Sequence, residues 1–194
     1  MILCSLDSSE SAEWGHLKVF TGNVKADTDY KTLKVNNQTT TKQIIEQILG
    51  KFRLTCRDLN LYQLWMEVST RINGQEIKTL LELDNSSRPL ELQRCHPVNQ
   101  SRFLLHQAGK GILIRIHDSF ICPESNYKSL LISTKTTTCE VVALVLLMSR
   151  IHTNPQEYHL FLIDEKAEAQ IPDELVFAPI YTNLKPQQRI AIKK

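Results

Sequence analysis

Two short runs rich in β-branched and other apolar residues, followed by apolar residues at helical spacing, occur twice along this chain. Residues 17–20 and 30–35 are such β-prone runs on either side of a turn region, which predicts two β-strands joined as a hairpin. Apolar residues at 44, 45, 48, 49 and 52 lie on one side of a helix, because this spacing follows the helical period. Residues 61–68 and 102–106 predict later strands, and residues 89–93 a further short strand.

The whole pattern recurs 97 residues later, where residues 29–45 align with 126–142 without a gap. Tyr30 aligns with Tyr127, and the threonines at 39–41 align with those at 136–138. Strands are predicted at 112–116, 127–132, 158–163 and 189–192, with a short one at 175–177. The alignment slips by one residue at Tyr62 and Tyr158, and the final strands imply about ten extra residues in the first copy, placed in a loop at 70–89. A match of this length indicates an internal repeat.

Each copy therefore predicts two strands, a helix and then further strands. The threonine triplets offer hydroxyl groups that cap the first turn of a helix. Glycines at 109 and 111 mark the junction. We expect an N-terminal extension at 1–14, a first domain at 15–108, a linker at 109–111 and a second domain at 112–194.

The composition of the chain mainly excludes classes of function. The chain has 194 residues, is 42% hydrophobic and 23% charged, and carries a formal charge of +2, so general attraction to nucleic acid is not indicated. Its five cysteines are scattered, which favours reduced thiols in the cytosol. The longest apolar run, 141–148, is too short to span a membrane. Without a phosphate-binding loop, a zinc-ligand spacing or a nucleophile motif, the sequence predicts a protein that is not an enzyme and needs no cofactor or metal.

Both copies resemble Ras-associating domains. The second-strand sequences YKTLKV and YKSLLI, each followed by a threonine-rich helix start, are similar to those of the tandem pair in afadin-like scaffolds. The resemblance implies an α+β fold made of two tandem ubiquitin-like β-grasp domains. It also implies a partner: a GTP-bound small GTPase of the Ras or Rap family, whose acidic strand edge is extended by the second strand of the domain.

An acidic partner requires basic residues on the first two strands and the helix of each domain, because opposite charges accelerate encounter and fix register. Residues 15–54 contain seven basic and three acidic residues, whereas residues 112–151 contain four and three. We therefore expect the first copy to be the main GTPase-binding domain, with its charged side chains on a face or edge away from the core. The candidate GTPase-binding residues are Lys18, Lys31, Lys34, Lys42, Lys51, Arg53, Arg115 and Lys128.

Other readings stay open at this point. Lysines on exposed edge strands also protect against aggregation. A ubiquitin-like scaffold lobe could contact protein or an anionic membrane surface regardless of nucleotide state. The GTPase hypothesis predicts a cytoplasmic protein that reaches the inner face of the plasma membrane or the cell cortex through its lipidated partner.

Overall fold

The computed structural model describes residues 12–107, 110–165 and 167–194, and these residues divide into two compact units. The first unit contains the described residues up to Ile45 together with Leu64–His106. The second contains Glu46–Gln63 and Gln107–Lys194. Most of the predicted extension (residues 1–11) and part of the predicted linker (residues 108 and 109) lie outside the described residues.

A five-stranded sheet organises the first unit, in the order β2-β1-β5-β3-β4. Strand β1 pairs antiparallel with β2 and parallel with β5, while β3 and β4 form a second antiparallel pair. Alternate residues of these strands are buried, which is the pattern predicted for a sheet with one face on a core. The strands are β1 (Trp14–Phe20), β2 (Tyr30–Asn36), β3 (Tyr62–Ile72), β4 (Gln75–Glu82) and β5 (Ser101–Gln107).

Helix α1 (Thr41–Lys51) follows the hairpin and carries the predicted apolar stripe, which is buried. The threonine cap is confirmed at Thr40, whose hydroxyl accepts from Gln43 N at 3.4 Å while Gln43 Oε1 accepts from Thr40 N at 2.9 Å. Two residues after the helix, Arg53 takes a left-handed conformation with φ of 58°. Leu54 N then donates to Leu49 O at 2.9 Å, so the last turn is closed by a Schellman-type bond.

The second unit repeats this architecture. Helix α3 (Thr138–Met148) packs against β7 and β8 over a core that includes Val141, Val145 and Phe177. The hairpin β6–β7 joins the sheet β10-β8-β9 through His117, whose backbone bonds with Ile190 and Ile192. The other elements are β6 (Gly111–Ile116), β7 (Lys128–Ser133), β8 (His159–Ile163), β9 (Glu168–Gln170), α4 (Phe177–Thr182) and β10 (Arg189–Lys193).

The alignment of the copies is confirmed in detail. Helices α1 and α3 begin and end 97 residues apart, and Arg150 repeats the left-handed end of Arg53 with φ of 56°. The alignment of the two copies shifts by one residue where predicted. Equivalent 3-10 helices, at Leu59–Leu61 and Pro155–Glu157, precede Tyr62 and Tyr158 and already show the shifted spacing. The predicted α+β class is confirmed.

Two local predictions were wrong. Residues 89–93, predicted as a strand, belong to helix α2 (Pro89–Arg94), where proline occupies the first turn and needs no N–H partner. The strand predicted at 175–177 is a single bridge at Val176 followed by helix α4. Both runs are too short for periodicity to separate a buried strand from a buried helix. The extra residues of the first copy lie where expected, but they lengthen the β3–β4 hairpin instead of forming a loop.

Within the second unit, the carboxylate of Asp58 is 3% exposed and organises its surroundings. Its Oδ1 accepts from Asn60 N at 3.0 Å, its Oδ2 accepts from Ser133 N at 2.7 Å, and the Thr136 hydroxyl also donates to Oδ2. Asn60 Nδ2 donates to Glu140 Oε2 at 2.8 Å, next to the start of α3. The equivalent cap in the second copy, Asn154, accepts from Gln156 N at 3.1 Å.

Replacing Asp58 with alanine should lower the free energy of unfolding by about 2–4 kcal/mol, because two buried donors lose a charged acceptor. We expect the Ser133 amide proton to exchange faster with solvent, which hydrogen–deuterium exchange would measure. Asn154→Ala is the matched control and should cost only about 1 kcal/mol, the loss of an ordinary exposed cap. Equal losses in both variants would contradict the special role of Asp58.

Candidate functional site

The first hairpin of each copy has the same register. Val19 pairs with Lys31 in β1–β2, and Ile116 pairs with Lys128 in β6–β7. Each residue of the second hairpin therefore occupies the place of a residue 97 positions earlier. Because side chains alternate between the faces of a strand, this register decides which candidate residues share a face.

On the outer face of the first hairpin, a lysine lies against two aromatic rings. Lys18 Nζ is 3.8 Å from the ring centroid of Tyr30 and 5.0 Å from that of Phe20, and the rings themselves are 6.0 Å apart. We call Lys18, Phe20 and Tyr30 the first cation–aromatic cluster. Tyr30 remains 46% exposed, so this cluster forms part of the surface. Its cation is therefore both positioned by aromatic faces and accessible.

The second hairpin has an equivalent cluster, formed by Arg115, His117 and Tyr127. Arg115 Cζ lies 5.0 Å from the ring centroid of Tyr127, and the rings of His117 and Tyr127 are 6.1 Å apart. Sequence reasoning named the two cations but missed the aromatic residues. The signal was present, because Tyr30 and Tyr127 align in the repeat.

Further basic residues surround the first cluster. Lys34 Nζ lies 5.5 Å from the ring centroid of Trp14, and the Arg102 guanidinium lies 5.4 Å from that of Phe20. Arg102 is also held by Glu67 Oε1, with nitrogen–oxygen distances of 2.8 and 2.9 Å. The structure thus brings Lys18 and Lys34 to the exposed face that sequence analysis expected.

Lys31 does not share this face, and the expectation of one charged face for it and Lys18 is wrong. Along β2, Lys31 shares the core-facing side with Leu33 and Val35, whereas Tyr30 and Lys34 point outward. The side chain is half-buried at the end of the strand, as is Lys128 in the second copy. Lysines with long aliphatic stems tolerate such places, because the stem packs while the ammonium group reaches the rim.

Lys128 is bound within its own copy. Its Nζ lies 3.3 Å from Oδ2 of the fully buried Asp118 and donates to Ser125 Oγ at 3.0 Å. The first copy has Thr21 in place of Asp118, and the hydroxyl of Thr21 donates to Thr28 O at 3.0 Å. Sequence analysis gave no role to Asp118, because a lone aspartate in a turn carries no periodic signal.

The remaining candidates lie on or after α1. Lys42 is exposed at the start of the helix, in the first unit. Lys51 and Arg53 are exposed at its end, in the second unit. Arg53 has a structural role as well, since its left-handed backbone ends the helix.

Each hairpin also offers a strand at the edge of its sheet. Among the described strands, β2 has β1 as its one neighbour, and β7 has β6. An edge strand carries backbone N–H and C=O groups that can pair with a strand of another protein. Trp14, exposed by 59%, and Tyr30 lie at opposite ends of the β1–β2 hairpin beside this edge.

Over residues 12–107, 110–165 and 167–194, no group of three histidine, cysteine, aspartate or glutamate residues could hold a metal ion. No helix in these ranges is long and apolar enough to cross a membrane.

Comparison with known proteins gives the family. Two consecutive regions, residues 14–109 and 110–194, match the Ras association (RalGDS/AF-6) domain. The chain therefore belongs to the Ras association domain family, in two tandem copies with the ubiquitin-like fold. Domains of this family are binding modules for small GTPases.

Among solved structures, the Rasip1 RA domain matches with 22% identity and a TM-score of 0.37, covering 50% of this chain and 89% of that one. The C-terminal ubiquitin-like domain of mouse tubulin-specific chaperone e matches with 20% identity and a TM-score of 0.34, covering 54% of this chain and 96% of that one. No curated protein sequence matches the chain.

The first cation–aromatic cluster should be measurable as a coupling energy. In a double-mutant cycle, Lys18→Met and Tyr30→Leu should show a coupling of about 0.5–1 kcal/mol in unfolding free energy, since the contact is exposed. The matched cycle with Arg115→Met and Tyr127→Leu should give a smaller value, because that cation lies farther from its ring. Additive losses in the first cycle would show that Lys18 gains nothing from Tyr30.

Proposed function

We propose that the chain is a non-catalytic module that recognises GTP-loaded small GTPases of the Ras or Rap family. It would thereby couple the protein of which it is part to small-GTPase signalling. The observation that carries the proposal is the edge strand β2, with Lys18 and Lys34 exposed beside it. Family membership supplies the class of partner.

The proposed contact is a strand addition. An edge strand of the GTPase pairs with β2, and main-chain hydrogen bonds supply affinity that does not depend on side-chain identity. Lys18, Lys34 and the half-buried Lys31 then meet acidic side chains that flank the partner strand. Lys42 extends the basic surface toward the start of α1. These charges raise the rate of encounter and fix the register of the added strand.

Nucleotide discrimination follows from the partner. The switch segments of a small GTPase are ordered by the γ-phosphate and released after hydrolysis. A strand can be added to β2 only when the opposing segment is extended and fixed, so the GTP form binds more tightly. The proposal places the module in the cytoplasm, with recruitment to the plasma membrane or cell cortex through the lipidated GTPase.

The second copy is the weaker candidate in this proposal. Arg115 repeats Lys18, but Leu131 replaces Lys34 and Cys139 replaces Lys42. Lys128 is already paired with Asp118. Arg115 and Lys128 would therefore contribute only to a secondary site. Lys51 and Arg53, at the end of α1, belong to the same compact unit as these two residues.

One observation favours a second function, a scaffold contact independent of nucleotide. Strand β4 is exposed along its whole length, and four large apolar side chains on the β3–β4 hairpin are exposed to solvent. They are Ile72, Ile77, Leu80 and Leu81, with exposed fractions of 54, 43, 52 and 47%. Three of them, Ile72, Ile77 and Leu81, share one face of the hairpin by the strand register, while Leu80 lies on the other face. An apolar face exposed in this way often marks a protein contact.

Titration of the chain against Ras and Rap proteins loaded with a non-hydrolysable GTP analogue or with GDP tests the proposal. We expect tighter binding to the GTP form by at least about tenfold, which is about 1.4 kcal/mol. The affinity should fall as salt is raised, because exposed charges are screened. Equal binding to both nucleotide states, or binding that is abolished by Ile77→Lys and not by Lys18→Glu, would favour the scaffold function.

Charge reversal ranks the two copies. Lys31→Glu should weaken binding of the GTP form by about tenfold or more, because a carboxylate then faces an acidic strand edge. Lys128→Glu is the matched variant at the equivalent position and should change the affinity much less. Calorimetry on variants with unchanged circular dichroism gives the comparison, and a larger loss for Lys128→Glu would reverse the ranking.

A further inference from the structure

The carboxylate of Asp118 is a buried charge whose hydrogen-bonding capacity is unused. The side chain has no exposed surface. Lys128 Nζ lies 3.3 Å from Oδ2, but the angle does not make a hydrogen bond. Neither carboxylate oxygen has a hydrogen-bond partner within the described residues. The ion pair with Lys128 is the interaction that the structure gives this charge.

The first copy has the same backbone without this charge. Thr21 occupies the position of Asp118, is likewise fully buried, and donates its hydroxyl hydrogen to Thr28 O at 3.0 Å. The turns agree in their backbone bonds as well: the carbonyl oxygens of Thr21 and Asp118 each accept from the amides three and four residues ahead. The two copies thus differ at this position by a neutral hydroxyl against a carboxylate.

A carboxylate without solvent depends on its counter-ion. If Lys128 turned toward an acidic strand of another protein, Asp118 would remain buried and uncompensated, which is among the most costly states of a protein charge. The pair also presents no net charge to an approaching partner. Lys128 is therefore both held in place and neutralised, and Ser125 Oγ holds it from a second direction.

We propose that Asp118 is a specificity-determining residue, which withholds Lys128 from an acidic GTPase edge and so directs binding to the first copy. This inference rests on the proposed function, because it adds the carboxylate beside Lys128 to the differences between the two copies as GTPase-binding domains. Replacing Asp118 with threonine restores the residue of the first copy. The new hydroxyl has an acceptor available at the equivalent place, the carbonyl of Ser125.

The retention of Lys128 can be measured without a GTPase. The 194-residue chain is treated with a limiting amine-acylating reagent, and modification at each lysine is followed by mass spectrometry. Lys128 should react at least about threefold faster in Asp118→Thr than in the wild-type chain, because its amino group is then no longer held against a buried carboxylate and can reach the reagent. Lys18, which faces aromatic rings, is the internal reference. An unchanged rate at Lys128 in the folded variant would overturn the inference.

The consequence for binding is tested in a chain whose first site is disabled by Lys18→Glu with Lys31→Glu. Adding Asp118→Thr to this chain should tighten binding of the GTP-loaded GTPase by about tenfold. Adding Lys128→Ala as well should remove the gain. In the otherwise wild-type chain, Thr21→Asp should weaken binding, as the reciprocal exchange. If thermal unfolding shows that a chain carrying Asp118→Thr has lost its fold, Asp118→Asn is used in its place, because it removes the charge and keeps the size of the side chain.

The outcomes separate the two proposals. If the wild-type chain binds no GTP-loaded partner, the proposed function fails and the specificity role fails with it, whereas the acylation result still decides whether Asp118 retains Lys128. If the wild-type chain binds and the disabled chain gains nothing from either Asp118 variant, the specificity role alone is overturned.

Discussion

The antiparallel ladder between the first two strands of each copy determines where every basic residue of the hairpin points. A shift of one residue in that ladder would exchange the buried and exposed faces of the strand, so the apolar residues of β2 fix the register firmly. Leu33 and Val35 are buried, which places Tyr30 and Lys34 outside and Lys31 on the core-facing side. The position of the candidate surface is thus a consequence of burying two apolar side chains.

Much of this could be predicted from the sequence. The helices were found because five apolar residues recur at helical spacing, and the hairpins because two short β-prone runs flank a turn. The repeat strengthened both predictions, since a pattern seen twice is rarely accidental. It also placed Tyr30 opposite Tyr127, although the meaning of that pair required coordinates: the ring of Tyr30 lies 3.8 Å from an ammonium group on a neighbouring strand.

The rest depends on long-range contacts that local patterns do not encode. Lys31 lies two residues before Leu33, so the period of two already places it on the core-facing side, and the prediction of one face for Lys18 and Lys31 misjudged that spacing. The pairing of Val19 with Lys31 agrees with this placement. The six-residue helix α2 was missed because its two turns are too short to display a period. Asp118 and Asp58 are single acidic residues between regular elements, and the residues next to them in the sequence do not indicate that they are buried.

Asp58 has a consequence for the modularity of the repeat. Its counterpart Asn154 only caps a short 3-10 helix. Asp58 caps the equivalent helix and also accepts hydrogen bonds from Ser133 N and the Thr136 hydroxyl of the second copy. An asparagine side-chain oxygen is uncharged and could not serve these buried donors equally well. The copies are therefore not interchangeable: dividing the chain at the family boundary would separate the Asp58 carboxylate from the Ser133 and Thr136 donors. Residues 46–63 thus belong to the first copy by sequence and to the second compact unit by their contacts.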